Sequence, residues 1–174
     1  MSSLDLDICY LSASEALEKF KNKSLSPVEL LTETIKRIEN VNPKINAFNF
    51  FRFEEALKEA KKSELKYTED KSTLPLEGLP LAIKDEVNVK GHPNKNGSLI
   101  YKDVIAEKTD VDVESLVSSG AIIHARTTNP EFSLTSFCHS KVNGVTRNPW
   151  NLDMTPGGSS GGSAAALASG CASL

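Results

Sequence analysis

Cysteine is scarce and unpatterned in this sequence. Cys9, Cys138 and Cys171 make an odd number at wide spacings, and no C-x-x-C pair occurs. A zinc knuckle and a disulfide framework both need paired, closely spaced cysteines, so neither is supported, and the thiols fit a reducing cytoplasm. Long apolar runs are missing too. No stretch approaches the ~20 consecutive apolar residues that span a bilayer. The first twenty residues, MSSLDLDICYLSASEALEKF, carry neither a basic start nor an apolar core of the secretory kind. There is no basic stripe: lysines and acids are interspersed, and the net charge is −3. That balance argues against nucleic acid or an anionic membrane surface as partner. The expected location is therefore the cytoplasm, and the oligomeric state is left open. No internal repeat is present. What remains is an ordinary globular composition, 39% hydrophobic and 25% charged over 174 residues.

The first third reads as helices. Ser12 and Glu15 form an S-x-x-E capping box ahead of Ala16, Leu17 and Phe20. Ser26-Pro27-Val28-Glu29 repeats the signal and adds proline at the first helical position. Behind it Val28, Leu31, Ile35 and Ile38 share one helical face, and Asn42-Pro43 is expected to end the run. A third helix is expected over residues 53–62, and the polar residues 63–73 read as a solvated loop. Then the period changes. Leu79-Pro80-Leu81-Ala82-Ile83 follows a turn and is short, apolar and suited to a buried strand. Asp110 is placed to cap a helix holding Val113, Leu116 and Val117, which Gly120 closes before the strand-like Ala121-Ile122-Ile123. Helix followed by buried strand is the grammar of an α/β fold.

The last third is rich in Gly, Ser, Asn and Pro and culminates in Pro156-Gly157-Gly158-Ser159-Ser160-Gly161-Gly162-Ser163. Standing alone, such a stretch also fits a flexible linker. It runs directly into Ala164-Ala165-Ala166-Leu167-Ala168, however, whose small side chains suit a closely packed helix. A glycine-rich turn into a helix lets backbone N–H groups approach a ligand or a developing negative charge. It is not a P-loop, because no G-x-x-x-x-G-K-[ST] occurs. Lys84 ends the apolar strand, where an ammonium loses solvation; desolvation is how a lysine becomes a base, although a lysine at a strand end is also commonly a snorkelling surface residue. Asp85, next in line, points to the opposite face of a strand and need not pair with it. Cys138-His139 invites a cysteine-hydrolase interpretation, but adjacent side chains do not converge on one substrate. His92, His124 and His139 lack metal-ligand spacing.

Four segments together resemble the amidase-signature family. They are Leu76-Glu77-Gly78-Leu79-Pro80-Leu81-Ala82-Ile83-Lys84-Asp85, Thr128-Asn129-Pro130-Glu131-Phe132, Gly144-Val145-Thr146-Arg147-Asn148-Pro149-Trp150-Asn151, and the loop from Thr155 to Ala164. They occur in the family's order, Lys84 and Ser159 stand 75 positions apart as in the family, and the resemblance covers nearly the whole chain. One departure is Asn94-Lys95-Asn96-Gly97-Ser98, where the family often has a Thr-Thr pair before Gly-Ser.

The resemblance implies a partial α/β/α amidase-signature sandwich with a mixed sheet, led by N-terminal helices. The chain would be the N-terminal part of a single domain, residues 1–174, with a helical lead-in over about 1–65 and the start of the α/β core over about 74–174. It implies hydrolysis of carbon–nitrogen amide bonds, with a small-molecule or acyl amide as substrate and no metal or other cofactor. The machinery implied is a Ser–cis-Ser–Lys triad, in which Lys84 matches the base and Ser159, after a cis Gly158–Ser159 peptide, matches the bridging serine. Gly157, Gly158, Ser160, Gly161 and Gly162 match the substrate-binding signature loop. The nucleophilic serine is expected about 24 residues after Ser159, beyond Leu174, so this chain would hold none. The alternatives are the A subunit of glutamyl-tRNA amidotransferase, which shares the triad, and a non-catalytic truncated remnant. Asn129-Pro130-Glu131-Phe132 and Thr155-Pro156-Gly157 favour a stand-alone amidase over the amidotransferase.

Overall fold

The computed structural model describes residues 6–174. A short helix α1 (Leu6–Cys9) precedes α2 (Ala13–Lys21) and α3 (Pro27–Ile45). Both longer helices start at the capping boxes visible in the sequence: the Ser12 and Ser26 hydroxyls accept from the N–H of Glu15 and Glu29, whose carboxylates reach back. Strand β1 (Phe48–Phe51) leads into α4 (Phe53–Thr68). Then come β2 (Pro80–Lys84), α5 (Val111–Ser118), β3 (Ile122–Thr127), a two-residue-strand hairpin β4 (His139–Ser140) and β5 (Gly144–Val145), and α6 (Gly161–Ala168).

The main sheet is mixed. Its order is β1-β3-β2, with β3 central, antiparallel to β1 and parallel to β2. Between Leu81↔Ile123 and Ala82↔Ala125 the register slips, which makes His124 an extra residue in the middle of the sheet. Helices cover both faces. On one, Ile38 and Ile45 of α3 and Ala165 and Ala166 of α6 pack on Phe48 and Ala125, while Leu31, Ala56 and Ala60 of α3 and α4 cover Ile122. On the other, Val113 of α5 packs on Leu81, Ile83 and Ile123. This is the α/β/α layering expected from the sequence.

Three local expectations are corrected. The helix of α3 does not stop at Asn42-Pro43 but continues to Ile45. The proline forfeits one N–H, yet the next turn is closed by Asn46, whose N–H reaches the Asn42 carbonyl at 2.8 Å, and by the Asn42 side chain, which accepts from Ala47 and Phe48. Residues 63–68 are helix rather than solvated loop, because Ser63 and Tyr67 turn inward onto Glu77. Asp110 does precede α5, but its carboxylate accepts from Asn88 instead of capping the helix.

Candidate active site

The parallel pairing of β2 with β3 brings Lys84 beside Thr127 at one end of the sheet, and α6 starts just beyond. α6 lies unusually close to the sheet end. Gly162 sits against Thr128, whose carbonyl accepts its N–H at 3.2 Å, and a Cβ on Gly162 would overlap the Thr128 backbone. Ser163, one residue on, shares a 2.7 Å hydrogen bond with the Thr127 hydroxyl. The loop entering α6 is fixed from below: a Cβ on Gly158 would run into the backbone of residues 135–137, so only glycine allows that approach.

With strand and helix so placed, Lys84 Nζ donates to Ser159 Oγ at 2.7 Å. The Gly158–Ser159 peptide is cis. The Lys84 side chain is only 12% exposed. Around the pair, the loop residues expected from the sequence are all present but differ in exposure. Gly157 is half-buried with its N–H on Thr155 Oγ1, Gly158 and Ser160 are exposed, and Gly161 and Gly162 are buried in the first turn of α6. Ser160 occupies the N-cap position without a side-chain capping bond. A groove of about 360 Å³, walled by Phe132, Leu134, Phe137 and His139, runs beside the segment that supports Gly158. A cavity of about 450 Å³ between Arg52, His92, Val113 and Ile123 shares no residue with the Lys84–Ser159 pair.

One member of the site went unread in the sequence. Glu86 Oε1 lies 2.7 Å from Lys84 Nζ, the same distance as Ser159 Oγ. Burial on its own would raise the Glu86 carboxyl, but hydrogen bonds from Lys84 and Ser133 and the lysine's charge together hold it below the ordinary value. No pattern in the sequence marked it, because Asp85 and Glu86 lie in the turn after β2, where strand alternation no longer says which way a side chain points. Asp85 faces away: its buried carboxylate accepts the N–H of Gly97. Nearby, the fully buried Arg126 of β3 donates to the carbonyls of Lys84, Asp85 and Val87, which fixes the turn that carries Glu86.

The other titratable candidates lie elsewhere. Cys138 is buried against Thr128 and Thr146, whereas His139 is exposed and stacks on Phe137 at 4.7 Å, so the adjacent pair does not converge. His124 is wholly buried with Nε2 3.0 Å from the Cys171 carbonyl. Cys9, Cys138 and Cys171 are buried thiols. Among the described residues, no group of three or more His, Cys, Asp or Glu side chains is placed to hold a metal ion, and no helix is long and apolar enough to cross a membrane.

Comparison with known proteins points one way. The Amidase family model matches residues 29–174. The glutamyl-tRNA(Gln) amidotransferase A subunit of Methylacidiphilum infernorum is 40% identical over 158 residues, covering 91% of this chain and 31% of that protein. An indoleacetamide hydrolase of Bradyrhizobium diazoefficiens is 36% identical over 163 residues, covering 94% of this chain and 31% of its own length. Among solved structures, a bacterial aryl acylamidase of the amidase-signature enzymes superposes with a TM-score of 0.89 at 29% identity, over 95% of this chain and 35% of that one. The chain thus spans about a third of the length of the relatives it matches. With its mixed sheet, its glycine-rich loop and these matches, the chain belongs to the amidase family, the amidase-signature enzymes.

Proposed function

We propose that the complete protein hydrolyses the carbon–nitrogen bond of a small-molecule or acyl amide, with Lys84 as base and Ser159 as proton relay. The supporting observation is the 2.7 Å contact between Lys84 Nζ and Ser159 Oγ at the mouth of a glycine-rich loop. A serine alcohol attacks an amide carbonyl only as it loses its proton. Ser159 takes that proton through Oγ and passes its own to the neutral amine of Lys84, and the same path in reverse delivers a proton to the departing nitrogen. The nucleophile is supplied by a serine about 24 residues beyond Ser159, outside this chain. Backbone N–H groups of the loop at residues 158–160 face the substrate, and the apolar groove beside Phe132, Leu134 and Phe137 receives its acyl part. On this account the chain is a fragment, the N-terminal part of one cytoplasmic domain.

A second role is favoured by one specific observation, the 40% identity to an amidotransferase A subunit. There the same relay would release ammonia from a glutamine-type amide for transfer. Extending the coding frame past Leu174 and assaying the product on an aryl amide and on glutamine separates the two. Steady hydrolysis of the aryl amide supports the first, and glutaminase activity with no aryl-amide turnover supports the second. A frame that stops without a further serine-bearing glycine motif, with no turnover of either compound, identifies a non-catalytic remnant and overturns both. The 174-residue chain alone is expected to turn over neither.

A further inference from the structure

Lys84 has two partners at the same distance, and the role given to it above uses only one. Its Nζ lies 2.7 Å from Ser159 Oγ and 2.7 Å from Glu86 Oε1. The lysine is 12% exposed and the glutamate 35%. Among the described residues, the charges nearest in the fold are engaged elsewhere. α6, on the loop side, carries no charged side chain. Asp85 is turned to Gly97, and Arg126 donates to the carbonyls of Lys84, Asp85 and Val87. Glu131 is engaged by Ser98. Ser133 donates to Glu86 and helps to hold it in place.

We propose that Glu86 is a positioning residue acting through Lys84: its carboxylate contact holds the side chain so that Nζ stays aimed at Ser159 Oγ. The same contact fixes the Nζ direction, because a single hydroxyl partner would leave a long, flexible side chain free to turn. The proposal rests on the assignment of Lys84 as base, but its test needs no turnover.

The test is competitive acetylation of the 174-residue chain with acetic anhydride at pH 8, with the rate at Lys84 read by peptide mass spectrometry relative to exposed Lys90. Only the neutral amine reacts. In Glu86→Gln the Lys84 rate is expected to rise about tenfold over Lys90, the factor that loss of about 1.4 kcal/mol from a charge-assisted contact gives. In Glu86→Asp, which keeps the charge, it is expected to stay near the parent. Glu86→Ala is expected to behave as Glu86→Gln. That order follows charge. An order that follows size, with Gln like the parent and Asp and Ala both fast, reports access alone and overturns the proposal. So does an unchanged Lys84 rate in Glu86→Gln, or an equal rise at Lys90. Failure of the complete protein to hydrolyse amides would remove the catalytic assignment of Lys84 and leave the labelling order as it was measured.

Discussion

Lys84 Nζ and Ser159 Oγ, 75 residues apart in sequence, lie 2.7 Å apart in space. Neither side chain reaches the other by local geometry. Lys84 is delivered by the end of β2 and Ser159 by the loop into α6, so their distance is set by how closely α6 packs on the sheet end. Interference with that packing should reach the pair without touching either residue.

Gly162→Ala makes this concrete. A methyl there meets the Thr128 backbone, which cannot rotate aside. Overpacking of this kind costs about 1–3 kcal/mol. Urea denaturation should show a loss of that size, and a midpoint equal to the parent's would mean that α6 is free to move outward.

A second prediction concerns acid. Burial pushes the imidazole of His124 down to about 4 from an ordinary 6.5, with opposing hydrogen bonds to the backbone. The unfolded chain therefore binds this proton first. The stability associated with a neutral His124 is present above pH 6.5 and is lost as pH falls toward 4. The full effect is on the order of 3 kcal/mol. Half-buried His92, also lowered to about 4 by burial and by Arg52 and Arg126, acts in the same direction. The carboxylates Glu77 and Glu86 lie below 4.5, so the window between pH 6.5 and 4.5 reports the histidines. Unfolding free energy should fall across that window, and less steeply in His124→Gln. A flat profile in the parent chain would refute the account.

The helix–sheet junction offers a third. Glu77 is 3% exposed and accepts from Ser63 Oγ at 2.5 Å and from Lys66 Nζ at 2.8 Å. Lys66→Met leaves a buried carboxylate without its cation, whereas Glu77→Gln leaves a lysine that reaches solvent. The first should therefore cost more, about 2–3 kcal/mol after allowance for Lys66's 38% exposure, against about 1 kcal/mol for the second. Equal losses in the two variants would show that the ion pair contributes little.

The elements that were legible share a local cause. Capping boxes at Ser12–Glu15 and Ser26–Glu29 announced two helix starts, and the apolar runs at Leu81 and Ile122 announced β2 and β3, because each signal is complete within a few residues. What escaped depends on distant partners. β1 is four residues, Phe-Asn-Phe-Phe, with a burial pattern that does not alternate, and only β3 makes it a strand. The last turns of α4 look solvated until Glu77, fourteen residues from Ser63, arrives to pair with them. At the site, Lys84 and Ser159 were legible through family resemblance. Glu86 was not, because it lies in the turn beyond β2, where strand alternation does not tell which way a side chain points.

The central claim is that Lys84 and Ser159 form one proton relay, and kinetics of the complete protein on a chromogenic aryl amide test it most directly. Lys84→Met and Ser159→Ala should each lower kcat by about 10²–10⁴-fold, with far-UV circular dichroism unchanged. The double variant should fall no further than the worse single one, since groups that act as a unit are lost together. A Lys84→Met enzyme that keeps the parent kcat, or a double variant whose losses multiply, would contradict the relay.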